Sequence, residues 1–487
     1  MERKKRRAGP KVRSGCLTCK IRHKKCDEGR PFCLMCTSTG RKCEYRYIID
    51  KRTKAYRLVQ LGQVGLTFDE RYYLDFFRNV TSSQCAGYFY DEFWQRLVHQ
   101  ASEDQPAVRH AVIGMGALNH SFIQLRIGQN EGPLDMSFSL HQIAKAIASL
   151  QKNLKDENLG HLRVEIALIA CVVITSTVIF QKDPQAAGQH LHSGYKLLEY
   201  YKVDHGGDES FGSALSTALG SAHLLWSTFH NPESFANQQD QKLPFVSLEK
   251  LTYPASDHAK TMGFLVILSR LIIQRFPGGF CVGPASQELE SEIVTVFAKL
   301  RVWQAQIKQY YAHHMENMEQ EHMGIFTLLE AWGEILHIMI IVEKGTLPRE
   351  ARYDGFLENF QRTLSIIQGL SAKNIPTSHI STAIVPLLLF CAIKCRDTLV
   401  RERVSLMLRQ WRFDEGVQRN DEMTTVVKRV IDIESKELIP GSVISETSRI
   451  ESLFVEIPRN ERGVHLWYYV AQHPRSWQSE WLPYETS

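Results

Sequence analysis

Six of the eleven cysteines fall between residues 16 and 43, and their spacing is the feature of the chain best suited to chemistry. Cys16, Cys19 and Cys26 form a C-x2-C-x6-C unit, and Cys33, Cys36 and Cys43 repeat it. Each C-x2-C sets two thiolates on one turn, and a basic run behind it can start a helix whose amide N–H groups face the sulfurs. Six thiolates do not fill two independent tetrahedral zinc sites, which need eight ligand positions. They do if two sulfurs bridge. One zinc with two spare thiols, or an iron–sulfur cluster, meets the count but leaves the repeat without a reason. The charged residues 1–15 have no apolar stretch behind them, so no secretory signal is expected. The clustering then points to a reduced compartment and a metal rather than to disulfides. The scattered Cys85, Cys171, Cys281, Cys391 and Cys395 read as buried thiols acting as small apolar residues.

The cations are placed as unevenly as the cysteines. Net charge is +5 over 487 residues. Residues 1–50 carry 15 Lys and Arg against five acids, which leaves the remainder at −5. A basic head on a mildly acidic body suits a chain that meets a polyanion with one end. Between Cys19 and Cys26 stand Lys20, Ile21, Arg22, His23, Lys24 and Lys25. On a short helix these cannot all point at a metal, so one side becomes a cationic edge fit for the major groove of double-stranded DNA. The second half, with Arg41 and Lys42, is poorer in cations and reads as a phosphate anchor. Upstream, Arg3, Lys4, Lys5, Arg6 and Arg7 form a run of the nuclear-import type that could also lie on DNA.

The spacing C-x2-C-x6-C-x6-C-x2-C-x6-C, with KIRHKKCDE behind the second cysteine, resembles the fungal zinc binuclear cluster, Zn(II)2Cys6. The resemblance implies two zinc ions per chain. Cys16 and Cys33 would bridge them, Cys19 and Cys26 would complete the first, and Cys36 and Cys43 the second. Pro31 sits where that family places a turn-setting proline. Base reading is implied at Arg22 and His23. The second of these is often Lys in the family, so a G-containing half-site is expected without insistence on CGG. So short a head cannot hold a fold by apolar burial, and the metal is expected to supply the folding free energy.

The elements that follow must carry this head. Residues 44–66 show no three sustained heptads, and Gly62 and Gly65 interrupt them, so no coiled coil is expected there and the oligomeric state is open. From about Leu66 the pattern is helical. Val108, Ala111, Val112, Met115, Leu118 and Phe122 recur at steps of three and four, with Ser102 and Asp104 as candidate caps and Pro106 near the first turn. Leu140–Leu154 and Ala187–Tyr201 repeat the behaviour, and Val164–Phe180 is apolar all round, as a central helix should be. Only Ser452–Ile457 suggests a strand. The uncharged runs Ile166–Gln181 and Ile375–Ile393 are short or broken by prolines, so both read as core helices and no membrane partner is expected.

Several segments of the body resemble the fungal-specific transcription factor regulatory domain: LTFDERYYLDFF onwards, AAGQHLHSGYKLLEYY, RYDGFLENFQRTLSI and AIVPLLLFCAIKCRDTLVRERVSLML. The expected architecture is therefore mainly α. It comprises a basic arm (1–15), a Zn(II)2Cys6 DNA-binding domain (16–46), a linker (47–65) and a large all-helical regulatory domain (66–487). The resemblance implies a nuclear regulator of RNA polymerase II transcription that leans towards activation. Its body would meet transcription machinery or a small apolar effector. No enzyme motif stands in the body: it has no G-x-S-x-G, H-E-x-x-H or dinucleotide fingerprint, and GGFCVG at 278–283 lacks the Lys-Ser/Thr of a phosphate loop. His313, His314 and His322 read as a solvated helix face. The alternative is a helical metabolite-binding protein or enzyme tethered to chromatin by a non-specific basic head.

Overall fold

The computed structural model describes residues 65–86, 92–126, 136–155, 162–204, 209–227, 320–342, 350–369, 384–410, 420–436, 442–458, 463–471 and 476–483. It also describes Thr18, Cys19, Arg22, residues 24–27, 33–39 and Arg41, with a few isolated positions besides. In the head, Thr18 and Cys19 are helical and Leu34–Thr37 form a short helix, α1. The body opens with α2 (Phe68–Phe76), which starts on a capping box. Thr67 Oγ1 accepts from the Glu70 N–H at 3.2 Å, and the Glu70 carboxylate accepts from the Thr67 N–H at 2.9 Å. A π-helical turn (Phe77–Thr81) leads into α3 (Ser82–Ala86), and a second (Phe93–Leu97) into α4 (Val98–Asp104).

The central helices then follow: α5 (Pro106–Arg126), α6 (Ser137–Lys155), α7 (Leu162–Phe180), α8 (Pro184–Asp204) and α9 (Glu209–Ser227). α7 is long and apolar enough to cross a membrane by length and composition, yet 78% of its apolar window is buried inside the protein. This agrees with its reading as a central helix. The candidate caps of α5 are corrected. Gln105 is extended and separates the two helices, Asp104 ends α4, and the Ser102 hydroxyl turns back to the His99 carbonyl at 2.8 Å.

The turn from α7 to α8 is dictated by three residues. Lys182 takes a left-handed φ of 57°. Its N–H donates to the Ile179 carbonyl, and the Asp183 N–H to that of Val178, which is a Schellman closure. Asp183 then caps α8 by accepting from the Ala186 N–H at 3.0 Å, and Pro184 takes the first helical position.

Among the described residues of the body, the buried apolar side chains form two cores. One is built by α2 to α9. The other is built by α10 (Gln320–Val342), α11 (Leu357–Gly369), α12 (Val385–Lys394), α13 (Thr398–Gln410), α14 (Asn420–Glu434) and the C-terminal strands. Ser378–His379 (β1) and Asp414–Glu415 (β2) make a minimal parallel pair. The mainly α class holds, but the body is not helical throughout. β3 (Ile450–Glu456), β4 (Gly463–Val470) and β5 (Gln478–Pro483) form an antiparallel sheet in the order β3-β4-β5.

That sheet is pinned to the helices by buried charges. Lys394 reaches Glu350 at 2.7 Å and the Glu451 carbonyl at 2.9 Å. Arg396 spans Glu350 and Glu434, and Arg401 pairs with Glu434. The Glu434 carboxylate in turn accepts from the Ile450 N–H at 2.7 Å. Lys182 in the first core also reaches the buried Glu422 of α14, at 3.9 Å.

Candidate metal centre and nucleic-acid interface

Two short turns build the head. Around Thr18 and Cys19 the backbone is helical, and the Arg22 N–H donates to the Thr18 carbonyl at 3.1 Å and the Lys24 N–H to the Cys19 carbonyl at 3.0 Å. In the other turn Cys33 is the extended N-cap of α1, and its carbonyl accepts from the N–H groups of Cys36 and Thr37. The Arg41 N–H then donates to the Cys36 carbonyl, again at 3.0 Å. Cys19 and Cys36 are 17 residues apart, as are Lys24 and Arg41, so one backbone bond is made twice at the offset of the cysteine repeat.

The thiols converge inside these turns. The sulfurs of Cys19, Cys26 and Cys33 lie within 4.8 Å of one another. Cys19 Sγ stands 3.6 Å from Cys33 Sγ and 3.8 Å from Cys36 Sγ. Thiolates about 2.3 Å from a tetrahedral zinc are about 3.8 Å apart, whereas a disulfide needs about 2.05 Å. The four thiols are buried and unbridged, so their spacing and donor chemistry fit zinc.

Two side chains that the sequence reading passed over tie the halves together. The Asp27 carboxylate accepts from the N–H groups of Leu34 (2.9 Å) and Met35 (3.2 Å), so an acid beside the first cysteine unit caps the helix of the second. Arg22 donates through Nη1 to Thr39 Oγ1 at 3.3 Å. Those two residues are themselves equivalents under the 17-residue offset, and that offset was the available signal for the pair. Of the expected DNA contacts, Lys24, Lys25 and Arg41 are exposed and Arg22 is half-buried. Cys16, Cys43, Lys20, His23, Lys42, Pro31 and the run Arg3, Lys4, Lys5, Arg6 and Arg7 lie outside the described residues. So do His313, His314 and the glycine-rich 278–283.

In the second core a groove of about 1010 Å³ opens between the turn Glu350–Phe356, α13 and α14. Tyr353, Arg396, Arg401, Leu406, Ile431 and Val443 are among its lining. Leu406 and Val443 are exposed there. No catalytic pair was expected in the body.

Residues 14–52 match the family model of the fungal Zn(2)-Cys(6) binuclear cluster domain, a domain that binds two zinc ions. The relatives of the chain are fungal transcription regulators. It is 28% identical over 216 residues to the aspercryptin biosynthesis cluster-specific transcription regulator of Emericella nidulans, covering 38% of this chain and 34% of that one. It is 59% identical over 34 residues to a transcriptional regulatory protein of Schizosaccharomyces pombe, 7% of each chain. With a transcription regulator of Purpureocillium lilacinum it shares 23% identity over 213 residues, 38% of this chain and 49% of the relative. These alignments span at most about half of each of these curated relatives. No solved structure matches the chain.

Proposed function

We propose that the protein is a nuclear, sequence-specific DNA-binding transcription factor whose zinc head reads a G-containing half-site and whose helical body sets the transcriptional output. The observation that carries this reading is the convergence of buried thiols at metal spacing in a head that displays Lys24, Lys25 and Arg41 to solvent. All six cysteines, Cys16, Cys19, Cys26, Cys33, Cys36 and Cys43, would hold two zinc ions, with Cys16 and Cys33 bridging. The metal supplies fold rather than reaction chemistry.

Phosphate neutralisation by Lys20, Lys24, Lys25, Arg41 and Lys42 gives affinity that falls steeply with salt, while Arg22 and His23 would meet base edges. Residues 66–487 would form the regulatory domain, without enzymatic activity and leaning towards activation. The groove beside Tyr353 and Leu406 has room for a small apolar effector.

The test is a selection from random duplex DNA with the full chain at near-physiological salt, with and without a zinc chelator. Enrichment of one G-containing motif that chelation abolishes is expected. Sequence-blind recovery, or recovery that survives chelation, would make the head an electrostatic tether and move the function to the body.

A further inference from the structure

The side chain of Arg22 starts on the first cysteine turn of the head and ends on the second. Its N–H donates to the Thr18 carbonyl at 3.1 Å, which fixes the root, and its Nη1 donates to Thr39 Oγ1 at 3.3 Å, which holds the tip. Thr39 is itself fastened to the second turn. Its N–H donates to the carbonyl of the buried Cys36 at 3.1 Å, and its hydroxyl lies 2.9 Å from the Met35 carbonyl and 3.2 Å from that of Cys36. A hydroxyl has a single proton to give. With that proton turned to the α1 carbonyls, the oxygen keeps its lone pairs for the guanidinium and accepts from it in a set direction. Thr39 is exposed, so no core packing calls for its hydroxyl.

We propose that Thr39 is a positioning residue for sequence reading. It holds the Arg22 guanidinium ready for a guanine edge before the duplex arrives, and so sets the discrimination at that base pair. This role rests on the reading of Arg22 as a base contact given above. It draws into base selection the cation-poor half of the head, which that reading leaves to phosphate.

The bond occupies one N–H of the guanidinium, and those left over suffice for a bidentate contact with guanine N7 and O6. A loose arginine must be immobilised at each encounter, whereas one already held loses less freedom on docking. Direction matters as much as entropy. A guanidinium that swivels reaches phosphates as readily as bases, and phosphates carry no sequence. Tethered at both ends to the cysteine turns, Arg22 is aimed by the same backbone that the metal is expected to fix.

The experiment measures binding of the zinc-loaded full chain to the duplex recovered by the selection above, and to copies with each base pair replaced in turn. Arg22→Ala should erase the preference for G at one position. Thr39→Val keeps the shape of the side chain and loses its hydroxyl. It should cut the preference at that same position roughly three- to tenfold, and leave the other positions, the salt slope and the zinc content as they are. Thr39→Ser should keep the wild-type preference. In the Arg22→Ala background Thr39→Val should change nothing further, because the threonine acts through the arginine. A Thr39→Val chain that discriminates as the wild type does would overturn the proposal, as would one that weakens all sequences alike or gives up its zinc. So would a Thr39→Ser chain no better than Thr39→Val, or an effect of Thr39→Val that persists without Arg22. An Arg22→Ala chain that relaxes no position, while the wild type still selects a motif, would remove this role and leave the head a reader of DNA. A wild type without sequence preference would overturn the reading of the head itself, and this role with it.

Discussion

At the scale of single residues the structure turns on a few carboxylates that do more than one job. Asp27 joins the halves of the head, because it belongs to one cysteine unit and caps the helix of the other. Asp27→Ala should cost the zinc-loaded head about 1 kcal/mol, the usual value of a lost N-cap, and Asp27→Asn should retain most of it. Zinc release from the full chain at rising chelator concentration measures both. Glu70 closes the capping box of α2 and takes hydrogen bonds from Gln142 at 2.9 Å and Lys145 at 2.8 Å on α6. Burial pushes its carboxyl up, but the bonds from Lys145, Gln142 and the Thr67 N–H win and hold it at about 2, against an ordinary 4.5. A depressed carboxyl stabilises the fold above its unfolded value and loses that contribution as pH falls towards the folded one. Glu70→Gln should therefore destabilise by roughly 2–3 kcal/mol at pH 7, and the gap to wild type should close between about pH 4.5 and 2. Denaturant titrations of both chains across that range decide it.

At the scale of elements, close packing explains residues that propensity alone would reject. Gly116 lies inside α5, where alanine is favoured by about 1 kcal/mol. A Cβ there would come within 2.5 Å of the Tyr73 carbonyl and 3.2 Å of Phe77 Cβ. Gly116→Ala should thus lower stability by about 2 kcal/mol or more, because the obstacle is the α2 backbone. Gly369→Ala, with nothing within 4 Å, should not. Thermal unfolding of the two variants separates the effects. Such crossings were not legible in the sequence, whereas the helices themselves were. Leu140–Leu154 lies within α6, Ala187–Tyr201 within α8 and Val164–Phe180 within α7, each short by a few residues at its ends. The cysteine unit was legible because metal ligation fixes both residue type and spacing. The C-terminal sheet was largely hidden. β4 keeps a period of two at Val464, Leu466 and Tyr468, but its other face carries Trp467 and the buried Tyr469, so apolar residues stand on both faces and the apolar–polar alternation is weak; in β3 the register shifts between Ile450 and Ser452. Asp27 and Thr39 escaped notice because their roles exist only once the two halves face each other.

At the scale of the whole molecule, the second core is organised around charges rather than against them. Burial pushes the Glu434 carboxyl up, and Arg396 and Arg401 more than offset this. Removing its charge would deprive both guanidiniums of a shared anion and leave one amide oxygen to serve the Ile450 N–H and two arginines. Glu434→Gln should cost about 3–5 kcal/mol, with loss of amide exchange protection in β3 ahead of the first core. Hydrogen exchange followed by mass spectrometry would show the order. The link from Lys182 to Glu422 is the counterpart between the cores, and its lysine stands at a left-handed turn position of the kind that favours glycine. The head shows the opposite economy, one scaffold used twice. Its halves coincide at an offset of 17 residues, yet the first reads KIRHKK where the second reads TSTGRK, and Arg22 stands against Thr39. A body that is twofold in metal and onefold in charge has a heading. On the DNA reading proposed above, a stretch of duplex that suits it would have a front and a back, and the same bases turned end for end would make a different address.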